Sequence, residues 1–215
     1  MKDILELKRL ASPAPKPQAL AWDGSTTLWM GSRETKRIYA INPTSWTVDW
    51  EAAAPGTVYG MTVVGKELRV LCGEIDDDRI IRRCIPRQGF DDKFKLPCPD
   101  NTGSQLGFNG RRLFVTQWYP KKLIELNDDG SMGKVINVPH QICGQVHVEG
   151  YAYLLTTDDE TTDNYWLTRV DATKAVPKFE DLARIPFAAR ALAFDGKFFW
   201  TNHREQNEIV SFARP

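Results

Sequence analysis

The sequence predicts an all-β fold, a five-bladed β-propeller whose ring is closed by an N-terminal strand. One observation is a pattern of alternating apolar residues that ends in glycine and recurs five times. Gly24 and Gly196, which are four repeats apart, give a mean period of 43 residues, so five units account for the 215-residue chain. Each unit also holds several short apolar runs separated by turn residues, which is typical of a propeller blade.

The first run of each unit predicts the innermost strand of a blade. These runs are Ala19–Gly24, Gly60–Gly65, Gln105–Gly110, Gln145–Gly150 and Ala191–Gly196. The closing glycine, often in an Asp-Gly or Asn-Gly pair, supplies the positive φ that a tight hairpin turn needs. His147 stands where the other units have a small residue, and we expect it to be a core histidine with its hydrogen bonds satisfied.

The next two runs predict the second and third strands of each blade. The second runs begin at Leu28, Leu68, Leu113, Tyr153 and Phe199. Three units align without a gap from the second run to the third, namely Leu28 to Ile41, Leu113 to Leu126 and Phe199 to Phe212. A fourth strand is expected in most units, for example over 47–52 and 133–138. A helical turn is expected only near 178–183.

The predicted blades lie within one domain covering residues 1–215. They span residues 18–53, 58–98, 104–138, 143–186 and 190–214. The fifth blade has no room for a fourth strand, so we expect Ile4–Lys8 to pair with Ile209–Ala213 and close the ring, which would remove both exposed edges. A β-sandwich is the alternative, and the 43-residue period favours the propeller over it.

The composition excludes several classes of protein. The 28 Lys and Arg residues balance the 28 Asp and Glu residues, and the pI is ≈ 6.8. No net positive charge that would attract nucleic acid or an acidic membrane is therefore expected. No apolar run approaches the ~18 residues of a membrane span, and the N-terminus has no apolar signal-peptide region. Four cysteines without C-x-x-C spacing are expected to be buried free thiols, which predicts a cytoplasmic protein. The oligomeric state stays open.

The segment from Leu20 to Ser32, continuing from Arg37 to Pro43, resembles a blade of the broad NHL/YncE-like class of propellers. Five blades in so short a chain are similar in size to the glutaminyl-cyclotransferase-like propellers. That family usually begins with a Phe-Thr-Gln/Glu-Gly-Leu motif, whereas this sequence has Gln18-Ala-Leu-Ala and, in the second strand, Gly31-Ser-Arg-Glu. The resemblance therefore implies the fold and transfers no catalytic residue.

A recurring register of polar residues predicts a rim around one mouth of the channel. Six positions beyond the start of each second run stand Glu34, Glu74, Tyr119, Asp159 and Glu205, and Arg33 and Arg204 precede two of them. They are either charged turn residues in weak surface ion pairs or a rim that holds a cation or basic group. Asn202, His203 and Glu205 could bind a hard ion such as Ca²⁺, as gluconolactonase-like propellers do, but no spacing matches and no cofactor is predicted.

A second polar set is expected closer to the channel axis. The residues just before the first strands include Gln18, Tyr59, Ser104 and Arg190, and Gln105 and Gln145 lie next to this set. Such hydrogen-bonding groups with one cation suit a small polar or peptide-like ligand, and a water-filled structural channel is the alternative.

Other clusters predict only packing or solvated surface. Arg79, Arg82, Arg83 and Arg87, beside Asp76–Asp78, are expected to form a solvated strand edge. Trp46, Trp50 and Trp118 are expected to pack between blades rather than lie exposed.

The sequence contains no phosphate-binding loop, no H-E-x-x-H and no G-x-S-x-G. We therefore predict a scaffold that binds a small polar ligand or the loop of a partner protein at one channel mouth. The alternative is a propeller enzyme of cyclotransferase, lactonase or lyase type, with Glu74 or Glu205 as general base.

Overall fold

The computed structural model describes residues 1–75, 77–174 and 176–215, so Asp76 of the acidic run lies outside the described residues. Within these ranges the strands form five antiparallel four-stranded sheets arranged as the blades of a propeller. The prediction of an all-β, five-bladed propeller is confirmed. Apart from the strands there are two single-turn 3-10 helices, Pro99–Asn101 and Arg204–Gln206, so no helix in the described part of the chain could cross a bilayer.

Each blade runs from an inner strand at the channel to an outer strand at the periphery. The first contains β2 (Pro17–Trp22), β3 (Leu28–Ser32), β4 (Arg37–Asn42) and β5 (Thr47–Ala53). The second contains β6 (Thr57–Val64), β7 (Glu67–Gly73), β8 (Ile80–Ile85) and β9 (Gly89–Pro97). The third contains β10 (Gln105–Phe108), β11 (Leu113–Gln117), β12 (Lys122–Leu126) and β13 (Met132–Asn137).

The last two blades complete the ring. The fourth contains β14 (Gln141–Val148), β15 (Tyr151–Thr157), β16 (Tyr165–Val170) and β17 (Phe179–Ile185). The fifth contains β18 (Ala189–Phe194), β19 (Phe198–His203) and β20 (Glu208–Ala213), with β1 (Glu6–Ala11) as its outer strand. The helical turn expected at 178–183 is wrong, because Phe179 and Ala183 pair with β16 as part of β17.

The closing glycines make the predicted turns. Gly24, Gly65, Gly110, Gly150 and Gly196 all have φ between +63° and +94°. In the first blade, Asp23 Oδ1 accepts the backbone N–H groups of Ser25, Thr26 and Thr27 and so supports the turn. The gapless registers predicted for the first and fifth blades are confirmed, since Leu28 pairs with Ile41 and Phe199 with Phe212.

The N-terminal strand closes the ring as predicted, but it begins later than expected. The strand is Glu6–Ala11, and Leu10 pairs with Ile209 in the ladder to β20. The residues before it serve a different purpose. Ile4 is buried and donates its N–H to Arg184 O at 2.9 Å, while Asp3 forms an ion pair with the Arg184 side chain at 2.7 Å. The N-terminus thus joins the fifth blade to the fourth.

Most of the core lies between adjacent blades. Near the axis the inner strands approach so closely that side chains must be absent at some positions. A Cβ atom on Gly60 would lie 2.6 Å from Gln105 Cα, and one on Gly144 would lie 2.7 Å from the carbonyl carbon of Ala191. Glycine at these two positions allows neighbouring blades to meet around a narrow channel.

Candidate ligand site at the upper mouth of the channel

The upper mouth is the end of the channel at which the inner strands β2, β6, β10, β14 and β18 begin. It holds a cavity of about 450 Å³ to which all five blades contribute. The main lining residues are Gln18, Arg33, Tyr59, Arg79, Ser104, Trp118, Tyr119, Cys143, Glu160, Arg190 and Arg204. Of the polar set predicted near the axis, all but Gln145 line this opening.

Backbone bulges aim several of these residues into the cavity. The ladder registers shift between Pro17 and Ala19, between Val58 and Gly60, and between Ile142 and Gly144. Gln18, Tyr59 and Cys143 are the extra residues at these bulges. A bulge leaves its extra residue out of the ladder and redirects its side chain, which explains why this position lines the mouth in blade after blade.

Two buried glutamines lie at the axis, and Gln105 forms the floor of the cavity. Gln105 Nε2 donates to Gln18 O at 3.2 Å and to Tyr59 O at 2.9 Å, which joins the third blade to the first and second. Gln145 Nε2 donates to Gln105 O at 3.0 Å and to Phe114 O at 3.2 Å. Both side chains were predicted to lie at the mouth that binds a ligand, but Gln145 lines a separate cavity below it. Gln105 borders the upper cavity, but its amide nitrogen already donates to the carbonyls of Gln18 and Tyr59.

Arg190 is a buried cation of the mouth. Its side chain is 8% exposed, and Nη1 donates to Tyr165 Oη at 2.6 Å and to Ala189 O at 3.0 Å. The guanidinium lies over the Trp118 ring, 5.0 Å from the ring centroid. Nη2 faces Glu160 Oε2 at 3.7 Å, which is beyond hydrogen-bond distance.

Arg204 is a second cation beside Arg190. Nη1 donates to Gln18 Oε1 at 2.9 Å, and Nε lies 3.0 Å from Glu205 Oε1. Burial, together with the like charges of Arg190 and Arg33, lowers the pKa of Arg204 from its usual value. The positive charges of the mouth therefore repel one another, and an anion between them would relieve that repulsion.

Two more arginines cover the Tyr59 ring. The Arg79 guanidinium lies 3.4 Å from the ring centroid and that of Arg33 lies 5.8 Å away. The Arg79 side chain is 5% exposed and hydrogen-bonds to Ile75 O, so the prediction that it lies at a solvated strand edge is wrong. The loop after β7 folds this arginine inward to the channel instead.

Trp118 adds an aromatic ring to the same cavity. Its indole ring lies under Arg190, and its Nε1 atom is shielded from solvent. Among the residues that the structure describes, Nε1 has no hydrogen-bond partner. Trp118 was expected to pack in the core, and it does pack against a buried cluster while also lining the mouth beside Tyr119. Trp46 and Trp50 do pack against other tryptophans, Trp200 and Trp29 respectively.

The predicted rim of acidic residues divides into separate groups. Glu34 and Glu205 lie with Lys16, Arg33 and Arg204 around a neighbouring cavity of about 320 Å³. A hydrogen bond from Lys16 Nζ at 2.5 Å, supported by Arg204, lowers the pKa of the Glu205 carboxyl.

The remaining members of the predicted rim have local partners. Glu74 pairs with Lys36 at 2.6 Å on the outside of the mouth. Asp159 accepts the N–H and hydroxyl of Thr161 within its own loop. Tyr119 alone of this register, 78% exposed, lines the main cavity.

His203 lies away from the mouth. Its ring stacks on Phe187 with centroids 5.1 Å apart, and Nδ1 is 3.8 Å from Glu208 Oε2. Burial and the nearby Arg9 lower the pKa of His203. Within the described ranges, no three His, Cys, Asp or Glu side chains are grouped so that they could hold a metal ion.

The lower end of the channel is lined mainly by apolar residues. A cavity of about 220 Å³ lies there between Trp22, Phe108, Phe194 and neighbouring side chains. The His147 ring packs on Phe114 with centroids 4.3 Å apart, and its enclosure lowers the pKa of His147 to about 4. His147 is a packing residue as predicted, but its Nε2 finds no hydrogen-bond partner in the described part of the chain.

Arg79, Glu160 and Tyr165 are the functional candidates that the sequence did not reveal. All three lie in or just after the loops that follow second strands, at different distances from the repeat anchors. Strand periodicity carries no information about how such loops fold over the mouth. The Arg-rich composition of 79–87 was the one available signal, and it was interpreted as surface.

Comparisons with known proteins support the fold and not a particular activity. The sequence matches no protein-family model and no curated protein significantly. The structure is similar to glutaminyl cyclase of Myxococcus xanthus, with a TM-score of 0.72, 9% identity and full coverage of both chains. It is also similar to a PQQ-bound aldose sugar dehydrogenase of Streptomyces coelicolor, with a TM-score of 0.61, 11% identity and 98% coverage of each chain. A third neighbour is virginiamycin B lyase of Staphylococcus aureus, with a TM-score of 0.53, 14% identity and coverage of 95% of this chain and 68% of the lyase. At these identities the likeness concerns the fold alone.

Proposed function

We propose that this chain is a ligand-binding propeller that holds a small polar molecule in the upper mouth. The observation that carries the proposal is the cavity of about 450 Å³ on the axis, which is lined by polar groups from every blade and floored by Gln105. Its size lies in the usual range of small-molecule sites, and a few fixed polar groups amid aromatic rings are typical of them.

The mouth is better suited to binding a small molecule than to catalysis by Glu74 or Glu205. A general base at neutral pH needs a raised carboxyl pKa, usually through burial. Glu205 has the opposite shift, because Lys16 and Arg204 stabilise its charged form. Glu74 is paired with Lys36 and its side chain is 57% exposed. The cyclotransferase, lactonase or lyase alternative would have to use another group.

The loop of a partner protein is the second candidate for the same mouth. Tyr119 is 78% exposed and Ile75 is 66% exposed, and both lie on loops that follow second strands. We favour the small molecule because Gln18, Gln105 and Arg190 of the lining are buried behind this rim. We also propose a reducing compartment such as the cytoplasm, which the four free thiols support.

A thermal-shift screen of polar metabolites tests the proposal, using Ser104→Phe to fill the cavity. A ligand at a hundredfold excess over its Kd adds about 2.7 kcal/mol to the free energy of unfolding and should raise Tm by a few degrees. Ser104→Phe should abolish that rise, whereas Thr44→Phe, on an exposed turn of the first blade, should keep it. Hits that survive Ser104→Phe would contradict binding at this mouth.

A further inference from the structure

We propose that the ligand of the upper mouth is a small organic acid whose carboxylate replaces Glu160 on Arg190, with Arg204 beside it as the second cation. This inference rests on the proposed function and names the chemical class of the ligand. It is argued from the charged groups and hydrogen-bond donors that line the cavity.

The charge of the cavity lining favours an anion. Among the lining residues that the structure describes, four are arginines, and Asp77 and Glu160 are the acids. The charge of Arg190 lowers the pKa of Arg204, so the two guanidinium groups lie near each other.

The Arg190 guanidinium is held by hydrogen bonds on one side and has only a weak partner on the other. Tyr165 and Ala189 fix the Nη1 side of its guanidinium, so the group is held without the entropy loss of ordering a free arginine. Its Nη2 side faces Glu160 at 3.7 Å, and the Glu160 side chain is 52% exposed. Such a contact is weak, and a ligand could displace it at little cost.

The protein's own side chains indicate that the preferred anion is a carboxylate. Glu160 faces Arg190, and Glu205 lies 3.0 Å from Arg204. The side chains of both acids are about half exposed, at 52% and 50%. An incoming carboxylate can therefore take the same position on Arg190 and accept hydrogen bonds from a planar guanidinium, a geometry that suits carboxylates well.

The test compares three carboxylates with their neutral amides by NMR titration of the Trp118 indole N–H, assigned with Trp118→Phe. The probes are acetate, succinate and benzoate, against acetamide, succinamide and benzamide, with inorganic phosphate as a further anion. At least one carboxylate should shift the Trp118 signal with a Kd roughly tenfold or more below that of its amide. Phosphate should bind less tightly than that carboxylate.

Two variants, one at the exposed Glu160 and one at the partly buried Arg204, test the roles of the charges. Glu160→Gln removes the internal competitor and should tighten carboxylate binding by roughly two- to fivefold. Arg204→Gln should weaken it by about tenfold or more. The matched controls Glu180→Gln and Arg169→Gln, an exposed ion pair on the outer part of the fourth blade, should leave the Kd unchanged. Circular dichroism establishes that each variant is folded.

Several results would overturn the inference. These are amides that bind as well as acids, phosphate that binds as tightly as the best carboxylate, and a Kd that Glu160→Gln leaves unchanged. A neutral metabolite that binds at the mouth while every carboxylate fails would also reject it, yet would leave the proposed function standing. If no compound of either kind depends on Ser104→Phe, the proposed function fails as well.

Discussion

His147 breaks the fivefold pattern of its strand position, where the other blades have Ala21, Thr62, Gly107 and Ala193. Gly107 explains how the larger ring is accommodated, because a Cβ atom there would lie 2.8 Å from His147 Cδ2. The histidine of the fourth blade thus fills the space that the glycine of the third leaves. A titratable group enclosed in this way links stability to pH.

We predict that acid destabilises the fold through His147. Its pKa is about 4 in the folded chain, against about 6.5 when unfolded, so only the unfolded chain gains this proton as the pH falls below 6.5. The free energy of unfolding should then fall by up to roughly 1.4 kcal/mol per pH unit between pH 6.5 and about 4. Urea melts of wild type and His147→Gln at pH 8, 7, 6 and 5 check this. The difference between the two proteins should grow below pH 6.5, and equal slopes would contradict it.

The four cysteines give a second prediction at the residue scale. Burial raises the pKa of Cys72, Cys84, Cys98 and Cys143 to about 12, so almost no thiolate is present at pH 8. A disulfide reagent such as DTNB should leave the native protein unreacted over minutes and label four thiols in guanidinium chloride. Rapid labelling of any one thiol in the native state would show that its site is open.

At the scale of elements, the N-terminal segment has two attachments of different kinds. Strand β1 completes the fifth blade through the β20 ladder, whereas Ile4 is buried against the fourth and fifth blades. Sequence reasoning found the first attachment because the fifth repeat lacks a strand. It placed the strand too early because Ile4 was assigned to the ladder, although this side chain belongs to the hydrophobic cluster between the blades.

We predict that truncations separate the two attachments. Removing residues 2–5 should lower the free energy of unfolding by about 1.5–3 kcal/mol, mostly from Ile4. Removing residues 2–11 should cost more, because β20 then becomes an unprotected edge. Denaturant melts measure both changes. Arg184→Gln, which removes only an exposed ion pair with Asp3, should change stability by less than about 1 kcal/mol. Equal losses in the two truncations would contradict the pairing of β1.

Across the whole molecule, a few side-chain hydrogen bonds at the axis link the inner strands of different blades. Gln105 reaches the carbonyls of Gln18 and Tyr59, which the bulges in β2 and β6 leave available. This contact ties three blades together at one point. It also separates the upper cavity from the apolar lower end of the channel.

We predict that Gln105→Leu destabilises the ring by about 1–3 kcal/mol, because two buried carbonyls lose their donor. Gln206→Leu, at an exposed position in the fifth blade, is the matched control and should change stability by less than about 0.5 kcal/mol. Urea melts give both values. An unchanged midpoint for Gln105→Leu would mean that these contacts add nothing to the ring.

The repeat pattern predicted the whole-molecule architecture well and the site only partly. Positive-φ glycines and strand registers are local features with a fixed period, so Gly24 and the Leu28 to Ile41 ladder were predictable. The inward fold of Arg79 and the contact of Glu160 with Arg190 depend on long-range packing of loops that differ between blades. Neither has a sequence period, and so neither could be predicted.

Because β1 is synthesised long before β20, it has no partner strand during most of translation. Arg9 and Glu208, which form an ion pair across this ladder at 2.5 Å, are 199 residues apart in sequence. At the usual 5–20 residues per second, the ribosome needs roughly 10–40 s to deliver the partner strand. During that time β1 is unpaired, and its own charges must prevent it from associating with other chains. Glu6, Lys8 and Arg9 give it the charged side chains that protect an open strand edge.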